Sequence, residues 1–130
     1  MDDKQRYVTS YNLLPGKMTF VDGYKAAESI IKKGLEYTAV ICNDYHVLSG
    51  FMSTLQKYNI RVPEEISVVC NDDSIYAEYL GITCVEGMHR MESGERTMQC
   101  LLAKIQGKED SQDAIVYQAK LIIRESVKRI

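Results

Sequence analysis

Two stretches decide the fold: Ile41-Cys42-Asn43-Asp44, and Arg61-Val62-Pro63-Glu64-Glu65-Ile66-Ser67-Val68-Val69-Cys70-Asn71-Asp72-Asp73. Each is a short apolar run that ends in polar side chains. The apolar run Thr38-Ala39-Val40-Ile41-Cys42 has the length and continuity of a strand covered on both faces. Ile66-Ser67-Val68-Val69-Cys70 reads the same way. Between them, Val47, Leu48, Phe51, Met52 and Leu55 recur at helical spacing. The helix starts near Asp44 and stops near Tyr58-Asn59, where Asn tolerates the left-handed backbone of a helix end. Strand, helix and strand in this order, with short connections, describe a right-handed parallel crossover.

Working outward, Thr19 is a capping residue, and Tyr24, Ala27, Ile30 and Ile31 repeat at helical spacing until Gly34. Before it, Tyr7-Val8-Thr9-Ser10-Tyr11 alternates like a strand. After Asp73 a short helix carries Ile75, Tyr76, Tyr79 and Leu80, and Ile82-Thr83-Cys84-Val85 is a further short strand or crossover. Met91, Met98, Leu101, Leu102 and Ile105 share one face of a helix ending near Gly107, and the segment from Ala114 to Arg124 is strand-like in part. The pattern predicts an α/β fold: a parallel sheet with helices on both faces.

Composition excludes several classes. A chain of 130 residues, 45% hydrophobic and 26% charged, is ordinary for one globular domain. Its net charge of −2 lacks the cationic excess that grips phosphates, so any DNA contact belongs to another segment. No run approaches the roughly 18 apolar residues of a membrane span, and the start Met1-Asp2-Asp3-Lys4 has no secretory core, so a cytoplasmic protein is expected. Cys42, Cys70, Cys84 and Cys100 form no Cys-x-x-Cys pair and read as free thiols. No metal-ligand spacing or Gly-rich phosphate loop occurs, and no cofactor is expected.

In open parallel sheets, ligands bind beyond the carboxyl ends of the strands. Asn43-Asp44 and Asn71-Asp72-Asp73 stand at two such ends. Asp44 and Asp73 both suit the N-cap of a following helix. Asn43 and Asp72 are less easily explained as caps and are the better ligand candidates. A carboxylate accepts two hydroxyls and an amide both donates and accepts, which suits a sugar. Catalysis by Asp72 and Asp73 is not expected, because adjacent strand residues point to opposite faces and cannot flank one bond. His46 lies inside the helix, as a surface residue, and His89 is the other histidine.

These residues resemble a known family. Gly23-Tyr24, Thr38-Ala39-Val40, Asn43-Asp44, Gly50, the block Val62-Pro63-Glu64-Glu65-Ile66-Ser67-Val68-Val69, Asp72-Asp73, Ile82-Thr83 and Leu121-Ile122-Ile123-Arg124-Glu125-Ser126-Val127 are similar to the LacI/GalR repressors. The likeness runs from about Gly16 to Val127 and is to the effector-binding half, a type I periplasmic-binding-protein-like lobe. The block before Asp-Asp is the specific part.

The resemblance implies that residues 1–130 are the C-terminal portion of an effector-binding and dimerisation domain, without the DNA-binding headpiece and the N-terminal lobe. It implies that Asn43 and Asp72 contact a small effector, a sugar in many relatives. Met18 stands where an aromatic ring usually stacks, with Phe20 the nearest ring that substitutes. Cys70 replaces the usual Gly before Asp-Asp, and the Pro before Ile82-Thr83 is missing. The implied dimer surface includes Leu48, Phe51, Met52, Tyr79 and Leu80. The helix bearing Met98, Leu101, Leu102 and Ile105 loses its usual packing partner, so a homodimer or a domain-swapped oligomer is expected, with operator DNA reached only through the headpiece. The same fold also serves solute receptors of sugar uptake systems and the sensor lobes of GntR-type repressors.

Overall fold

The computed structural model describes residues 17–87, 90–108 and 116–129. The strand expected at Tyr7 to Tyr11, His89 and the start of the segment from Ala114 lie outside them.

Helix α1 (Phe20–Lys32) begins on a full capping box. The Asp22 carboxylate accepts from Thr19 N at 2.9 Å and from Thr19 Oγ1 at 2.6 Å, while Asp22 N donates back to Thr19 Oγ1. The helix unwinds through Gly34 and Leu35, both at positive φ. Strand β1 (Ala39–Cys42) follows. Helix α2 (Tyr45–Lys57) is capped by Asp44, whose carboxylate accepts from Val47 N at 2.9 Å, and it ends into Asn59 at φ 55°. Both the cap and the Asn stop agree with the sequence reading. Strand β2 (Ser67–Cys70), helix α3 (Ile75–Tyr79), strand β3 (Thr83–Glu86), helix α4 (Arg90–Ile105) and strand β4 (Lys120–Ile122) complete the order.

The sheet runs β1-β2-β3-β4. The first three strands are parallel, with Cys42 beside Cys70 and Cys70 beside Cys84 in register. Strand β4 is antiparallel to β3, so the parallel sheet expected from the sequence carries one antiparallel edge strand and is mixed. The reason is topological. A parallel neighbour needs a crossover helix packed back along the sheet, and α4 makes no extensive contact with any other described element. The chain therefore re-enters the sheet at the end where it left.

Helices α1, α2 and α3 form one connected layer, α2 touching both neighbours and β1. Beneath it lies the core, with Leu48, Phe51, Leu55, Ile66, Val68 and Ile82 fully buried alongside Cys42, Cys70 and Cys84. Two glycines let the helices meet. A Cβ on Gly23 would lie 2.0 Å from Val47 O, and one on Gly50 would lie 1.9 Å from Phe20 O. Strand β1 departs from expectation, since Ile41 is 74% exposed and no described helix covers that side of it.

The C-terminal segment ties β2 to β3. Ser126 Oγ donates to Val68 O at 2.6 Å and accepts from Thr83 N at 2.8 Å. Ser126 O accepts from Val68 N, and Thr83 Oγ1 bonds both the backbone N–H and the C=O of Arg124. These bonds satisfy buried polar groups that would otherwise be costly.

Candidate ligand-binding site

The carboxyl ends of β1, β2 and β3 open onto a cleft of about 520 Å³. Its lining comes from three connections: Tyr45 after β1, the run Asn71 to Tyr76 after β2, and Val85, Glu86 and Gly87 at the end of β3. This is where a parallel sheet diverges and offers side chains to a ligand. Asp72, a ligand candidate from the sequence, stands in this lining.

Asn43 and Met18 are brought together at the β1 end and are not in the cleft lining. Asn43 Nδ2 donates to Met18 Sδ at 3.0 Å. Met18 has φ 54° and is 52% exposed, so the segment before α1 bends to place the thioether beside the β1 end. Phe20 is half-exposed at the start of α1, and its carbonyl is the group that Gly50 approaches. The β1 and β2 ends are held side by side, Asn71 N donating to Cys42 O at 2.8 Å.

Asp73 is not the cap of α3. Ser74 takes that place, its Oγ accepting from Ala77 N at 3.2 Å. The Asp73 carboxylate instead accepts from Arg124 Nη1 at 2.8 Å, and the same nitrogen donates to Ile82 O. The Asp73 carboxylate is the first cause that raises the Arg124 guanidinium above its ordinary value. Of the two carboxylates in the Asp-Asp pair, Asp73 is thus engaged in an ion pair.

Tyr45, Tyr76 and Glu86 also line the cleft, and none of them is a ligand candidate from the sequence. Tyr45 and Tyr76 each follow a capping residue by one or two positions, which is the available signal: first-turn side chains at the carboxyl end of a parallel sheet face the crevice. The Tyr45 ring also lies against His46, centroids 3.9 Å apart, and His46 is exposed on the helix surface as expected.

The residues expected at a dimer contact separate. Leu48 and Phe51 are 0% and 1% exposed within this chain, so the apolar side chains of α2 point into its own core and leave a partner nothing to touch. Met52 and Leu80 are partly buried against that core. Tyr79 is exposed.

The cysteines are free, and Cys42, Cys70 and Cys84 are buried. Burial pushes the Cys42 thiol up to about 12 and the Cys84 thiol up to about 11. Among the described residues no group of three or more His, Cys, Asp or Glu side chains is placed to hold a metal, and no helix is long and apolar enough to cross a membrane.

Comparison with known proteins agrees with this architecture. Residues 5–127 match the model of the periplasmic binding protein-like domain. The HTH-type transcriptional repressor PurR of Vibrio vulnificus is 30% identical over 131 residues, covering 98% of this chain and 39% of the relative. PurR of Vibrio atlanticus is 33% identical over 107 residues, covering 81% and 32%. The chain therefore spans about two fifths or less of the length of these relatives. Among solved structures, a LacI-type transcription regulator from Bifidobacterium animalis superposes with a TM-score of 0.73 at 27% identity, covering 88% of this chain and 41% of that one. The transcription regulator CcpA of Lactococcus lactis gives a TM-score of 0.73 at 20% identity, covering 85% and 40%. The chain belongs to the periplasmic binding protein-like domain family, in the form found in LacI-family transcription regulators.

Proposed function

We propose that this chain is the effector-sensing and self-associating part of a LacI-family transcription regulator, and that its cleft takes a small hydroxylated molecule such as a sugar. The observation that carries the reading is the position of Asp72 in a cleft at the carboxyl ends of three parallel strands. A carboxylate accepts two ligand hydroxyls at once. Tyr45 and Tyr76 add ring faces and phenol groups to the same cleft. Asn43, steadied by Met18, stands at the neighbouring strand end, where it meets a ligand that extends out of the cleft.

The cleft is open on one side, and closure of a second lobe over the ligand supplies the remaining contacts in this reading. Operator DNA is contacted by a segment outside these 130 residues, consistent with a net charge of −2 here. An effector shifts such a regulator only through unequal affinity for its two states. The chain works in the cytoplasm, associates with a second copy, and catalyses no reaction. The comparisons favour a regulator over an uptake receptor, because the relatives are named as repressors.

The reading is tested by titrating sugars into the regulator and its Asp72→Ala variant by calorimetry. Loss of effector affinity with an unchanged circular dichroism spectrum supports it; equal affinity in both proteins rejects it.

A further inference from the structure

Asp72 stands between two anchored neighbours. On one side Asn71 N donates to Cys42 O at 2.8 Å and joins the loop to the end of β1. On the other the Asp73 carboxylate accepts from Arg124 Nη1 at 2.8 Å. Asn71 is exposed and Asp72 and Asp73 are half-buried, so hydrogen bonds rather than apolar packing order this loop. A ligand carboxylate on such a loop binds well only if its place is set before the ligand arrives, because ordering it during binding is subtracted from the affinity.

The second anchor has a firm footing of its own. Arg124 Nη1 also donates to Ile82 O at 2.8 Å, just before β3. Arg124 N donates to Thr83 Oγ1 at 3.0 Å, and Thr83 Oγ1 donates to Arg124 O at 3.2 Å. Two residues on, Ser126 Oγ bridges β2 and β3 through Val68 O and Thr83 N. The Arg124 side chain is only 17% exposed, so its guanidinium is a strut fixed to the sheet rather than a mobile surface charge. Among the described residues Asp73 lines the cleft and Arg124 does not, so Arg124 reaches the site only through Asp73.

We propose that Arg124 is a positioning residue of the ligand site: through Asp73 it fixes Asp72 where that carboxylate meets the ligand, without touching the ligand itself. This rests on the role given to Asp72 in the proposed function and adds to it a residue from the far end of the chain. One nitrogen of Arg124 makes both bonds, so the role needs a donor at that point and not the full guanidinium fork.

The test titrates D-ribose, D-glucose and D-galactose into the intact regulator and its variants, well below their unfolding midpoints, with weak binding followed by saturation-transfer NMR. Arg124→Met should weaken binding roughly fivefold or more through lost preorganisation, and Arg124→Lys should stay within about twofold of the wild type. In an Asp72→Ala background Arg124→Met should cost nothing further, since the residue it positions is gone. Without any sugar, 15N order parameters of Asn71, Asp72 and Asp73 should fall in Arg124→Met while those of β2 hold. An Arg124→Met loss of the same size with and without Asp72 marks a merely structural role and overturns the inference. So does unchanged affinity in Arg124→Met, or a loop as ordered as in the wild type. Equal affinity in Asp72→Ala, or binding of none of the three sugars, overturns the ligand assignment itself and this inference with it.

Discussion

Arg124 and Asp73 are 51 residues apart in the chain and joined by a 2.8 Å bond from Nη1 to Oδ1. The two side chains are 17% and 20% exposed. The same Nη1 bonds Ile82 O, so one guanidinium holds the loop after β2, the start of β3 and the C-terminal segment. Replacing Arg124 with Met strands a shielded carboxylate beside the cleft. A loss of about 1–3 kcal/mol in urea unfolding is expected. Asp73→Asn keeps an acceptor for Arg124 and should cost less.

This pair also shows where local sequence stops informing. Asp44 and Asp73 both precede a helix and both suit a cap, yet only Asp44 serves as one. Ser74, one residue nearer its helix, takes the second cap, and Asp73 turns to a partner that no local spacing reveals. The strand ends and Asp72 were legible because apolar runs ending in polar residues mark them. The direction of β4 was not, since alternation is the same in either sense. Nor could periodicity assign Leu48 and Phe51, because a core face and an interface face share one helical repeat.

Gly23 and Gly50 set the distance between α1 and α2. Alanine at either position puts a Cβ within 2.0 Å of a backbone oxygen, which only separation of the helices relieves. Gly23→Ala and Gly50→Ala should each lower unfolding free energy by about 2 kcal/mol or more, despite the better helix propensity of alanine. Gly94 in α4 has nothing within 4 Å of its Cβ position. Gly94→Ala should therefore stabilise by about 0.5–1 kcal/mol, measured in the same urea series.

Acid should weaken the fold through Asp22 and Glu28 of α1 and Glu65 in the turn before β2. Hydrogen bonds from Thr19 hold Asp22 below its ordinary 3.8, the Tyr24 side chain lowers Glu28, and the Arg61 backbone N–H lowers Glu65, the last two below 4.5. A carboxylate with a depressed folded value stabilises above its unfolded value, and that contribution disappears as pH falls through the folded one. Stability should fall as pH drops below about 4.5, and the double variant Asp22→Asn with Glu65→Gln should flatten that slope. A wild-type slope retained in the double variant would contradict the assignment.

The thiols should separate by reactivity. Burial raises Cys42, Cys70 and Cys84, while Cys100 on α4 is half-exposed. Since the thiolate is the nucleophile, mass spectrometry after brief native alkylation at neutral pH should find Cys100 modified first. The other three should react only on unfolding.

In the proposed function the cleft beyond β1, β2 and β3 holds the effector through Asp72. Calorimetric titration of the intact regulator against its Asp72→Ala variant, using whichever sugar binds the wild type, tests it most directly. Affinity should fall by roughly tenfold or more, as for loss of a charge-assisted hydrogen bond, with the unfolding midpoint unchanged. Equal affinity in the folded variant would contradict it.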